Sequence, residues 1–293
     1  MAERDSPSVR ERRLAAELRS LRVGSQLHGK EVAARLGWSA SKVSRIETGR
    51  IGVGPEDLDR LLHLYEVPED QARRMRRLAP SARAKGWWDA YADTLSAGYA
   101  GLIRLESGSR ALQCYCALVP HALVQTPEFA RNVIEATWQR PSLAEVERRV
   151  QVCRRRQRVL DGAGRTEPLR LAAVIDEAVL RRPVRAMDGS PDPAVVRGQL
   201  DRLITVAARP NVKIQVLPFA AGLPPVTAGS FSILESQATE APDVVYLENK
   251  TRISFIDSEA EVYRYTRDFD LLTAMALSPG ESLDLLRSVR RAA

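Results

Sequence analysis

Residues 29–50, GKEVAARLGWSASKVSRIETGR, constrain this chain more than any other stretch. Val32 and Leu36 stand four residues apart, so both fall on one face of a first helix. Ala33 is small enough to let a second helix cross close by. Gly37 ends the first helix, since glycine takes a left-handed turn backbone without a Cβ clash. Ser39 then serves as N-cap, its hydroxyl accepting a free backbone N–H of the next helix. Val43 and Ile46 turn inward at i, i+3, which leaves Ala40, Ser41, Lys42, Ser44 and Arg45 outside. A core helix does not carry that short, polar and basic face, whereas a helix that enters a major groove requires it.

The pattern resembles the xenobiotic-response-element class of helix-turn-helix regulators, which includes phage repressors. It is carried by Val32, Ala33, Leu36, Gly37, Ser39, Val43, Ser44, Ile46, Glu47, Gly49 and Arg50. The resemblance implies a λ-repressor-like, all-α bundle of five helices whose partner is double-stranded DNA. It further implies Ala40, Ser41, Lys42 and Arg45 as base contacts, with Ser39, Ser44 and Arg50 on phosphates. His28-Gly29 departs from the family, which usually has Ser or Thr followed by a polar residue. His28 still offers a cap, and Glu31 lies three residues on, as in a capping box. One bundle carries little specificity, so a homodimer on a roughly palindromic site is expected.

Charge is distributed as that reading requires. Residues 1–85 hold 18 Lys/Arg against 12 Asp/Glu, while the remainder holds 26 against 25. Nearly all of the net +7 therefore sits with the groove-binding pattern, where counterion release needs it. A length of 293 residues points to two domains at roughly 150 residues each. Cys114, Cys116 and Cys153 are odd in number and lack metal-ligand spacing, which suits free thiols in a reducing compartment. The start is charged (Glu3, Arg4, Asp5), and no run approaches the ~20 apolar residues of a membrane span. The expectation is a cytoplasmic protein, nucleoid-associated when bound to DNA, with no membrane partner.

Apolar periodicity predicts helices over 8–24, with Val9, Leu14, Leu18 and Leu21 inward, and from Pro55, with Leu58, Leu61, Leu62 and Tyr65 inward. A fifth, Arg-rich helix follows Pro68. The helix-turn-helix domain is placed at 8–80, a linker at 81–90, and a regulatory and dimerisation domain at 91–291. In the latter, helices are predicted over 99–108, 128–138, 142–162, 176–181, 193–209, 258–275 and 280–291. Strands are predicted over 112–118, 169–175, 212–217, 229–234, 243–247 and 252–256, the last two paired through Asn249-Lys250. The class of this domain is mixed α/β (α+β) with a small sheet.

This second region resembles the C-terminal domain, of unknown function, of the actinobacterial antitoxin-like regulators in the same helix-turn-helix class. The matching stretches include Leu123-Val124-Gln125-Thr126-Pro127-Glu128-Phe129, Arg156-Gln157, Ile175-Asp176-Glu177, Gln199-Leu200, Val216-Leu217-Pro218-Phe219 and Val245-Tyr246-Leu247-Glu248. His121-Ala122 and Leu223-Pro224-Pro225 depart from it. The resemblance implies a small acidic partner protein encoded nearby, in a toxin–antitoxin-like arrangement.

A few residues outside these patterns could carry chemistry. Asp176-Glu177, two acids at the end of an apolar strand, suit either a helix N-terminus or the acid pair of an enzyme domain. A basic stripe (Arg148, Arg149, Arg154, Arg155, Arg156, Arg158) is either a solvated face or a dock for the acidic partner. A pocket near 216–231, with Phe219 and Phe231, would take a small-molecule effector instead. Trp87-Trp88 suits a domain junction or dimer interface, and His121 is read as structural. No catalytic set, metal site or cofactor is expected, because no phosphate-cradling glycine loop and no Ser/His/Asp or Cys/His arrangement can be assembled.

Overall fold

Each amphipathic segment of the first 78 residues becomes a helix. The structure, a computed structural model, describes residues 9–48, 51–78, 86–138, 141–162, 165, 167–185, 189–226, 229–236, 243–250 and 253–293. The chain divides into two units, Met1–Asp89 and Ala90–Ala293.

The first unit is a five-helix bundle: α1 (Val9–Gly24), α2 (Gly29–Leu36), α3 (Ala40–Glu47), α4 (Pro55–Leu64) and α5 (Glu69–Leu78). Leu14 and Leu18 of α1 join Val32, Val43, Ile46, Leu58, Leu61 and Met75 in one core. Burying each such side chain contributes roughly 1.5–3 kcal/mol. Gly37 takes the left-handed backbone, φ 66°, and lets Trp38 N–H close on Ala33 O at 2.8 Å. Glu31 supplies the acidic half of the capping box, accepting from His28 N–H at 2.6 Å. The side chain of Val9 lies outside the described residues.

The second unit is built on a six-stranded sheet of order β3-β2-β1-β4-β5-β6. Its strands are β1 (Ser109–Cys116), β2 (Arg170–Asp176), β3 (Val212–Leu217), β4 (Phe231–Ser236), β5 (Val244–Glu248) and β6 (Ile253–Ile256). The first three are mutually parallel and the last three antiparallel, with β5 and β6 paired as expected. Helices α6 (Ala97–Ser107), α7 (Pro127–Thr137), α8 (Leu143–Gln157), α9 (Glu177–Arg181), α10 (Pro193–Ala207), α11 (Glu259–Met275) and α12 (Pro279–Ala292) complete it. Both faces of the sheet are covered. Leu112, Cys114 and Cys116 of β1 enter one core with Leu171, Ala173 and Ile175 of β2, while Tyr115 and Val174 enter the other beneath Phe269 and Leu272 of α11. That double burial explains why β2 reads as an unbroken apolar run, Leu171–Ile175, rather than an alternating one.

Several boundaries differ from expectation by one to five residues, β4 (Phe231–Ser236 against 229–234) and α6 (Ala97–Ser107 against 99–108) among them. β1 begins at Ser109, three residues early, and stops at Cys116. The helix predicted over 142–162 is α-helical only to Gln157, then tightens into a 3₁₀ turn, Arg158–Asp161, which Gly162 closes at φ 75°. Asp176 lies outside α9 and caps it, accepting from Ala178 N–H at 2.9 Å.

Candidate functional site

In the first unit the outer face of α3 is as the sequence implies, with one exception. Ala40, Ser41, Ser44 and Arg45 are exposed. Ser39 accepts from Lys42 N–H at 3.1 Å, which leaves its own hydroxyl proton free to donate. Arg45 Nε reaches Ser41 O at 3.3 Å, so its guanidinium lies along the helix. Lys42 is the exception. It is only half-exposed, its Nζ sits 2.7 Å from Asp57 Oδ2 of α4, and it rests 3.9 Å over the Trp38 ring. Arg50 lies outside the described residues. The sequence reading missed the brace beneath this face. Arg22 of α1 grips both oxygens of Glu47, at 2.7 and 3.0 Å, and so fixes the C-terminal end of α3.

The second unit holds a cavity of about 290 Å3. It is lined by α6, the segment 119–125, α7 with Trp138, α8, and residues of β1, β4, β5 and β6, and opens to the surface. Three glutamines set the 119–125 wall. Gln157 Nε2 donates to Ala122 O at 2.9 Å and Gln125 O at 2.7 Å, Gln125 Nε2 to Pro120 O at 2.7 Å, and Gln199 Nε2 to Val124 O at 2.9 Å. All three lie in the stretches that carry the second resemblance.

The arginines of the basic stripe do not share one exposed face. Arg156 is not on a docking face: it is 2% exposed and pairs with Glu106, 1% exposed, at 2.5 and 2.9 Å. Burial opposes its charge, but Glu106 and Tyr99 outweigh that and hold the Arg156 pKa well above its usual value. Its guanidinium also donates to the Tyr99 hydroxyl and lies over the Tyr99 ring. Burial pushes the Tyr99 phenol up to about 12, so it stays protonated. Arg148 pairs with Asp93 at 2.6 Å. Arg154 and Arg155 are exposed, as read. Arg149 turns to the cavity, stacked 3.4 Å over the Trp138 ring, and among the described residues its buried Nε has no hydrogen-bond partner.

His121 also lines the cavity. Its Nδ1 accepts from Leu123 N–H at 3.3 Å, so the neutral ring carries its proton on Nε2. Burial, then Arg156, lowers it from 6.5 to about 3. The pocket expected near 216–231 is displaced. Phe231 lines the cavity, but Phe219 is 60% exposed and does not. Backbone position decides this, because Phe219 lies beyond the end of β3, across β2 and β1 from β4.

The remaining candidates are structural in their contacts. Asp176 accepts from Ala178 N–H and, at 3.1 Å, from Tyr115 O–H. Glu177 accepts from Arg181 at 2.6 Å and from Phe219 N–H at 2.8 Å, so all four oxygens of this pair are engaged. Cys114 and Cys116 share one strand face with sulfurs 3.9 Å apart, and all three cysteines are free and buried. Trp87 and Trp88 meet edge-on at 6.0 Å. Among the described residues no group of three or more His, Cys, Asp or Glu could hold a metal, and no helix is long and apolar enough to cross a membrane.

Residues 13–75 match a helix-turn-helix domain, which supports a DNA-binding regulator with double-stranded DNA as partner. Residues 99–288 match the family described as a domain of unknown function (DUF5753); the match spans more than half the chain, which belongs to that family. No curated protein and no solved structure matches it.

Proposed function

We propose that this chain is a sequence-specific transcriptional regulator that reads DNA with α3 and receives a small-molecule signal in the cavity of its second unit. The observation that carries the DNA half is the exposed Ala40, Ser41, Ser44 and Arg45 face on a capped, braced helix. Arg45 and a released Lys42 would donate to base edges, and Ser39 and Ser44 to phosphates. A homodimer would set the half-site spacing. The cavity supports the effector half, being mostly apolar with a few convergent polar groups, as ligand sites are.

A second reading, the antitoxin-like one, has a small acidic protein as regulator. Exposed Arg154 and Arg155 support it, but without Arg156. Selection from a random duplex DNA library tests the main reading. The wild-type chain should enrich one roughly palindromic site, and Lys42→Ala/Arg45→Ala should lose it. Equal enrichment by both would sink the groove assignment.

A further inference from the structure

The cavity holds one polar group that the fold leaves unanswered. Arg149 stands on α8 with its guanidinium over Trp138 and its buried Nε without an acceptor among the described residues. A buried guanidinium N–H with no partner is uncommon, because leaving it unmade forfeits a charge-assisted hydrogen bond. The neighbouring acids do not supply one. Glu145, one turn earlier on α8, places Oε2 on the Ser142 backbone N–H and hydroxyl, each at 2.8 Å, and favours the Arg149 charge through space. Glu106 is committed to Arg156. Glu248 also lines the cavity and accepts the Tyr246 hydroxyl proton. His121 is neutral and faces the same space with an Nε2–H donor. At the C-terminal end of α7 the Lys250 ammonium is already engaged, donating to Thr137 O. Leu102, Val133, Ile134, Val152 and Ile253 supply much of the remaining lining, beside the polar Ser96, Gln125, Ser230 and Ser232.

We propose that the cavity binds a small amphiphile with one carboxylate, its apolar body among these aliphatic side chains and its carboxylate on Arg149. The volume, about 290 Å3, lies at the small end of ligand pockets, which run from roughly 300 to 1,000 Å3, and so suits a small body of roughly ten to twelve non-hydrogen atoms. This deepens the regulator reading and rests on it only for the cavity's role as the receiving site. The planar guanidinium is held in place by its stack on Trp138, so an incoming carboxylate meets a pre-oriented donor.

Decanoate, 1-decanol and decylamine are suitable probes, titrated calorimetrically into the full chain below their aggregation concentrations. Decanoate should saturate one site per chain, roughly ten-fold or more tighter than either analogue. Arg149→Met should erase that preference while leaving 1-decanol binding unchanged, and Arg149→Lys should keep part of it. The wild-type comparison decides the matter even if a variant fails to fold. Decanol binding as well as decanoate, decylamine binding better through Glu248, or no saturable decanoate binding would each overturn the proposal. DNA selection on the same preparation separates the two readings. A chain that enriches a site but ignores decanoate refutes this ligand alone; one that enriches no site sinks the regulator reading whatever decanoate does.

Discussion

Lys42 of α3 and Asp57 of α4 form an ion pair at 2.7 Å, so a cation predicted to read base edges is held by the protein's own carboxylate. Asp57 thus competes with DNA for Lys42 and adds a negative charge beside the groove-facing helix. Asp57→Asn should tighten DNA binding and steepen its salt dependence by up to about one phosphate contact, a slope change of roughly −0.9. The pair is part-exposed and contributes only about 0–1 kcal/mol, so folding stability should barely move. Dissociation constants across a salt series check both points. Weaker binding in the variant would mean that Asp57 positions Lys42 rather than restraining it.

Arg156 and Glu106 lie in the interior of the second unit with two hydrogen bonds between them. Removing one partner strands the other charge in a low-dielectric site, at a cost of about 3–5 kcal/mol. Glu106→Leu should therefore destabilise the second unit by that order, read by urea denaturation. Glu106→Leu/Arg156→Met should recover most of the loss, because an apolar pair is well tolerated in such a site. A double variant no better than the single one would show that the pair is needed for packing and not merely for mutual charge balance.

These two pairs also mark where sequence reading stops. The bundle and α3 were legible because capping residues and the 3.6-residue apolar period are local. Lys42's partner lies 15 residues away on another helix, and no local pattern names it. The α8 arginines hid a signal that was present. Arg149, Val152, Cys153 and Arg156 follow i, i+3, i+4, i+7 spacing, which places Arg149 and Arg156 on the inward stripe and Arg154 and Arg155 outside. Read as a charge run, all of them looked solvated. Most strands were legible singly, but the order β3-β2-β1-β4-β5-β6 depends on long-range pairing, and the cavity appears only once β4, β5 and β6 come beside β1.

Two glycines of α6 should respond differently to alanine. A Cβ on Gly101 would meet Phe255 at 3.4 Å, an ordinary contact, whereas one on Gly98 would meet three Ile253 atoms at 3.1 to 3.3 Å. Gly101→Ala should raise stability by about 0.4–1 kcal/mol through lower entropy of the unfolded chain. In Gly98→Ala the crowding at Ile253 should cancel that gain or reverse it. Thermal unfolding of the two variants side by side checks the order. Equal stabilisation would show that β6 yields freely to α6.

His121 should make the second unit acid-sensitive at a pH where carboxylates are still largely ionised. Its folded value, about 3, lies below the ordinary 6.5, so between those limits the unfolded chain binds a proton that the folded chain refuses. Stability therefore rises with pH through that window: it is complete above about 6.5 and is lost progressively toward pH 3. The chain has three histidines, and the other two, His28 and His63, are exposed in the first unit. The slope between about pH 6.5 and 5 thus reports on His121, since most carboxylates titrate lower. His121→Asn keeps an acceptor for Leu123 N–H, at 3.3 Å in the native chain, but cannot take the proton. Denaturation of the second unit at about pH 7, 6 and 5 should show falling stability in the wild-type chain and a flatter profile in the variant. Parallel profiles would mean that water reaches the ring and that His121 protonates in place.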